Sequence, residues 1–100
     1  MKISGAQITA ARDLLKITQA ELAEAAEVAT QTVRRFEADE AIPQRANLEK
    51  ILAELGRRGI EFTSGDSPPT AGDGIGVWLN YAKAAEFARS AGQTRSNVDK

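Results

Sequence analysis

Residues 18–38 read TQAELAEAAEVATQTVRRFEA, a stretch that spells out two short helices and the turn between them. Thr18 with Glu21 three residues later has the spacing of a capping box, the hydroxyl serving one backbone N–H and the carboxylate reaching back to another. Leu22, Ala23 and Ala26 follow at helical spacing and form an inward face. Ala26-Glu27-Val28-Ala29 breaks that period and reads as a tight turn. A second helix is expected from about Thr30 to Ala38, held from below by Val33 and Phe36. Ala23 falls where the two helices cross, where a larger side chain would push them apart. Val28 follows the turn and can plug the core beneath it. The opposite face of the second helix then carries Thr30, Gln31, Arg34 and Arg35 outward. These residue types read nucleic acid: glutamine pairs with adenine, arginine with guanine, and threonine with either or with a thymine methyl.

The flanking sequence extends the same architecture. Upstream, Ser4-Gly5-Ala6-Gln7 is another capping box, and Ile8, Ala11, Leu14 and Leu15 carry a helix to about Lys16. Downstream, residues 39–44 read as a loop closed by Pro43, and Leu48, Ile51, Leu52 and Leu55 give a fourth helix a strong apolar stripe. Gly59 is a natural stop. From residue 60 the pattern changes. Ile60-Glu61-Phe62-Thr63 alternates as a strand does, residues 64–76 are rich in Gly and Pro, and a returning strand is expected over residues 75–79. A lone hairpin is marginal in water, so the helical body or a second chain must support it. Asn80 can cap an Ala-rich helix to about Ala91, and polar residues 92–100 are expected to be disordered. The expected division is a helical domain over residues 1–59, a strand-loop-strand-helix appendage over 60–91, and a tail.

Composition narrows the functions available. The 100 residues include neither Cys nor His. Disulfides, thiolate and imidazole metal sites and His-based catalysis are therefore excluded. No nucleophile stands beside a base, so an enzyme is not expected, nor a cofactor or a metal. The Gly- and Asp-bearing segment over residues 66–76 has neither Walker A nor EF-hand spacing. No apolar run approaches a signal peptide or a membrane span, so a cytoplasmic protein is expected. Net charge is −1, with nine basic and nine acidic residues over positions 1–59. Binding to nucleic acid must therefore come from charge concentrated on one surface.

Thr18-Gln19-Ala20-Glu21-Leu22-Ala23, then Val28, then Val33-Arg34-Arg35-Phe36-Glu37, resemble the Cro/C1-type (XRE) helix-turn-helix family over roughly residues 4–55. The resemblance implies a mainly α, lambda-repressor-like bundle, here carrying a short C-terminal β segment and a terminal helix. It implies a sequence-specific regulator of transcription, most often a repressor, bound to double-stranded DNA as a homodimer on a palindromic operator. By the family pattern Gln19 grips a phosphate, Thr30, Gln31, Thr32 and Arg35 stand at base-reading positions with Arg34 beside them, and Arg12 and Glu37 form a structural ion pair. Gln44 and Arg45, opening the fourth helix, either meet the phosphate backbone or are simply solvated. Three positions depart from the pattern: Glu27 and Asp39 stand where glycine is usual, and Ala29 replaces a Ser or Thr cap. Ile60, Phe62, Val77, Trp78 and Leu79 are the candidate surface for a second copy or a protein partner. For Trp78 and Tyr81, covering the chain's own core is an equal alternative. The rival function is an antiactivator-like or antitoxin-like module that uses the same fold to hold a protein.

Overall fold

A computed structural model of the chain describes residues 3–63 and 75–96. In order these form α1 (Gly5–Leu15), α2 (Gln19–Ala26), α3 (Thr30–Glu37), α4 (Arg45–Arg57), β1 (Ile60–Thr63), β2 (Gly76–Leu79) and α5 (Tyr81–Ser96). The architecture is thus mainly helical, with a small sheet and a C-terminal helix. The expected Gly- and Pro-rich loop falls largely on residues 64–74, outside the described residues, as do residues 97–100 of the expected tail.

One boundary is corrected. The helix placed to about Ala91 continues to Ser96, so residues 92–96 are helical rather than disordered. A single glycine costs a helix only about 1 kcal/mol relative to alanine. Gln93 and Arg95, both good helix formers, follow Gly92.

Local chemistry sets the helix ends. Ser4 Oγ accepts from Gln7 N at 3.2 Å while Gln7 Oε1 accepts from Ser4 N at 2.9 Å. Thr18 and Glu21 repeat the box at 3.0 and 2.8 Å. The first three helices all close through a residue with left-handed backbone, Lys16 (φ 60°), Glu27 (φ 61°) and Asp39 (φ 61°). Behind each, the next N–H folds back onto the helix: Ile17 N to Arg12 O, Val28 N to Ala23 O and Glu40 N to Arg35 O, at 3.1, 3.0 and 2.8 Å. This is the Schellman arrangement, normally made with glycine.

Ile8, Ala11, Leu22, Val33, Ile51 and Leu55 are wholly buried, with Ala23, Ala26, Phe36 and Ile60 close behind. α1 lies so close to α3 that a Cβ on Gly5 would stand 2.1 Å from the Phe36 carbonyl oxygen.

The hairpin is antiparallel, with Ile60 opposite Leu79, Glu61 opposite Trp78, Phe62 opposite Val77 and Thr63 opposite Gly76. Side chains alternate across a strand, so Ile60, Phe62, Val77 and Leu79 share one face. That face packs on the helical core, with Ile60 buried within it. For the candidate surface toward another chain this corrects Ile60, which is buried in the chain's own core, while Phe62, Val77 and Leu79 pack against that core and stay half-buried. Trp78 lies on the other face and is exposed. Gln7 clamps the strand ends, its Nε2 donating to Thr63 O at 2.8 Å and Gly76 O at 2.9 Å.

Gly59, at φ 105°, joins α4 to β1, and a Cβ there would meet Asn80 O and Ala84 N, each at 2.9 Å. α5 starts from Asn80, whose Oδ1 accepts from Lys83 N. It rests on α4 through Phe87, with the guanidinium carbons of Arg57 and Arg58 each 4.8 Å from the ring centre. Both arginines also bind the buried Glu54 carboxylate, at 2.8 and 2.6 Å.

Candidate nucleic-acid interface

α3 divides its apolar and polar sides more sharply than any other described helix. Val33 and Phe36 are buried in the same core as Leu22, Ala23 and Ala26 of the adjoining α2, and Val28, in the turn between the helices, packs partly buried against it. On the opposite side Thr30, Gln31, Arg34 and Arg35 are exposed, while Thr32 is half-buried.

An open groove of about 310 Å³ runs from this face to the start of α4, lined by Gln31, Thr32 and Arg35 on one side and by Ile42, Pro43, Gln44 and Asn47 on the other. Gln44 is the N-cap residue of α4 and makes no side-chain cap bond. Arg45 is 92% exposed and 3.6 Å from Glu49. The structure therefore brings Gln31, Thr32, Arg35 and Gln44 around one groove, with Arg45 on the adjoining turn. Ile42 and Asn47 were not singled out from sequence. Ile42 is 85% exposed, and neither its openness nor its place beside the polar face of α3 follows from any local spacing in the sequence.

Gln19 occupies a different setting. Its Nε2 donates to Glu37 Oε1 at 2.9 Å, making it part of a cluster at the junction of α1, α2 and α3. There Arg12 Nε and Nη2 grip Glu37 in a fork at 2.7 and 2.8 Å, and Arg12 Nη1 donates to Ile17 O at 2.9 Å. The Glu37 side chain is only 5% exposed. Burial pushes its carboxyl up, but the hydrogen bonds from Arg12 and Gln19 outweigh that and hold it below the usual carboxylate range. The same bond to Glu37 raises Arg12 above its ordinary value. Arg12 and Glu37 thus tie α1 to the end of α3 and fix the angle at which α3 is presented.

The departures read in the turn are also visible here. Glu27 adopts left-handed backbone without glycine, and Ala29 caps α3 with no side-chain bond; Thr30 does not take over that role. Charge on the α3 face is moderated locally. Arg34 Nη1 and Arg35 Nε lie 4.0 and 3.8 Å from Glu40 Oε1. Among the described residues no three His, Cys, Asp or Glu side chains gather as a metal would require, and no helix is long and apolar enough to cross a membrane.

Two short helices joined by a tight turn, the second presenting a polar face, define a helix-turn-helix protein. The helix-turn-helix family model matches residues 8–62, and the chain belongs to that family, of the Cro/C1 (XRE) type. In general terms this is a family of DNA-binding regulators, one that is not typically enzymatic. The match runs from α1 into β1, leaving β2 and α5 outside it. No curated protein matches the chain in sequence.

Proposed function

We propose that this protein is a sequence-specific regulator of transcription, a cytoplasmic repressor acting as a homodimer on a palindromic operator. The observation that carries the reading is the exposed polar face of α3, continuous through one groove with the start of α4. In this reading Thr30, Gln31, Thr32, Arg34 and Arg35 meet base edges in the major groove, because their side chains offer the donors and acceptors that base edges match. Gln44 and Arg45 meet phosphate across the groove. Gln19 contributes its second amide hydrogen to another phosphate, the first being committed to Glu37. Residues 1–59 do the reading, and residues 60–91 present a surface to a second copy, reduced now to the outer side of the hairpin around Trp78.

The test is gel-shift titration against the DNA upstream of the protein's own gene, at two salt concentrations. Specific binding should appear and weaken with salt as counterions are released. Gln31→Ala and Arg35→Ala should each cost about 1–3 kcal/mol on the specific site and relax preference at one base pair. Gln19→Ala should weaken all sequences alike, because a phosphate carries no base identity. Operator binding by Gln31→Ala and Arg35→Ala equal to wild type would remove α3 as the reader.

A second reading is favoured by one observation. Ile75, Trp78 and Tyr81 are exposed near one another in sequence, at 55, 58 and 81%. Exposed aromatic anchors such as Trp78 and Tyr81 suit a protein partner, as an antitoxin-like or antiactivator-like module would need. Co-purification of a stoichiometric partner that Trp78→Ala abolishes would favour that reading.

A further inference from the structure

α3 ends in a feature that works against simple attraction to DNA. The one carboxylate oxygen Glu40 Oε1 faces both guanidiniums of the reading helix, 3.8 Å from Arg35 Nε and 4.0 Å from Arg34 Nη1. All three side chains are about half exposed, so little stability comes from these pairs. The position is nonetheless built. Asp39 takes left-handed backbone, and Glu40 N–H and then Ala41 N–H donate to the Arg35 carbonyl at 2.8 and 3.4 Å. The helix end itself sets the carboxylate beside the two arginines.

We propose that Glu40 is a specificity-determining residue of the DNA-facing surface, one that restrains sequence-independent attraction of Arg34 and Arg35 to phosphate. The inference rests on the reading of α3 as the DNA-contacting helix. An arginine near a phosphate gains affinity on any sequence by releasing counterions, whereas a base edge rewards only the matching geometry. A fixed carboxylate beside the arginines lowers the first gain at every site. At the correct base, bidentate hydrogen bonds replace what the carboxylate supplied, so the restraint falls hardest on wrong sequences. A chain of net charge −1 with two arginines on its reading helix is consistent with discrimination being favoured over raw affinity.

The test is fluorescence anisotropy of a labelled random-sequence duplex of about 24 base pairs, titrated from low to moderate salt, where each phosphate contact adds about 0.9 to the slope of log affinity on log salt. Wild type is compared with Glu40→Gln, with Arg34→Gln/Arg35→Gln with and without Glu40→Gln, and with Glu86→Gln. Glu86 is exposed on α5 and makes the same change in net charge. Thermal melts of each variant check folding. Glu40→Gln should bind the random duplex about 3–10-fold tighter at low salt, with a slope steeper by about one or two phosphate contacts. The gain should vanish in the double-arginine background and be missing from Glu86→Gln. Equal binding by Glu40→Gln and wild type, or an equal gain in Glu86→Gln, would overturn the proposal and leave the DNA reading standing. Weaker binding by Glu40→Gln would overturn it too, making Glu40 itself a contact. If folded wild type and Glu40→Gln both fail to bind any duplex at low salt, the DNA reading falls and takes this inference with it.

Discussion

At the scale of single residues, two positions decide how α3 is held. Gly5 is the first. Its missing Cβ lets α1 lie against the backbone of Phe36 and Glu37, and neither of those groups can swing aside as a side-chain tip could. Gly5→Ala should destabilise the fold by about 1–3 kcal/mol or more, as overpacking does. Urea melts check this, with Ala6→Gly on the exposed side losing only about 1 kcal/mol of helix propensity. Glu37 is the second. Removing one partner of a buried pair costs about 3–5 kcal/mol, and the partial exposure of Arg12, at 15%, puts Glu37→Ala toward the lower end. The sign with pH follows from the depressed carboxyl. A group whose folded pKa lies below its unfolded value stabilises fully above the unfolded value, and that contribution is lost as pH falls through the folded one. Wild type should therefore lose stability on acidification below about pH 4.3, the ordinary glutamate value. The difference between wild type and Glu37→Gln should shrink over the same window. A constant difference down to pH 2 would mean that Glu37 is not held charged by Arg12 and Gln19.

At the scale of elements, much was legible in local sequence and some was not. The two capping boxes and the apolar spacing placed α1 through α4, because those signals lie within a turn or two of the helices they control. Glu27 and Asp39 were recognised as left-handed positions from the missing glycines, but Lys16 was not, since lysine carries no signature of that backbone. The site was legible along α3, where position follows from the period. Its continuation to Ile42 and Asn47 depends on how α4 folds back, which no local pattern encodes. Gln7 was readable as the capping partner of Ser4. Its grip on Thr63 and Gly76 joins residues far apart in the chain, for which sequence has no spacing rule. The alternation of Ile60 to Thr63 announced one apolar face without saying what would cover it. The left-handed helix ends yield a prediction. A non-glycine residue in that conformation costs about 1–2 kcal/mol, offset by the greater freedom glycine has when unfolded. Glu27→Gly should then raise stability by up to about 1 kcal/mol, a Tm gain of about 4–8 °C for a domain this size. Asp39→Gly should gain less, because aspartate tolerates the region better. A loss of stability in Glu27→Gly would show that its side chain contributes more than its backbone costs.

At the scale of the whole molecule, the question is how one short helix could select a site. α3 spans only a few base pairs, and two copies reading half-sites about 34 Å apart supply the rest. The joint has to come from what the fold leaves open. Ile60 belongs to the chain's own core, and Gln7 fastens the hairpin to α1, so cutting the chain after Arg58 would remove structural support together with any interface. Fully burying an isoleucine side chain is worth about 1.5–3 kcal/mol, enough to leave a truncated chain poorly folded. Point variants on the outer side are the cleaner measurement. Trp78 lies outside the core with its Nε1 already donating to Glu61 at 2.6 Å, so its ring can be covered without stranding a donor. Tyr81 opens α5 nearby and is 81% exposed. Tryptophan and tyrosine at the centre of an interface can each contribute 2 kcal/mol or about twice that. Trp78→Ala/Tyr81→Ala should therefore stay cooperatively folded, melting lower only by the dimer's lost contribution, while shifting sedimentation from dimer to monomer at micromolar concentration. Operator affinity should fall with it, and affinity for random duplex should change far less. A double variant that sediments and binds operator as wild type does would move the joint away from the hairpin. A wild type that stays monomeric throughout would remove the dimer from the proposal.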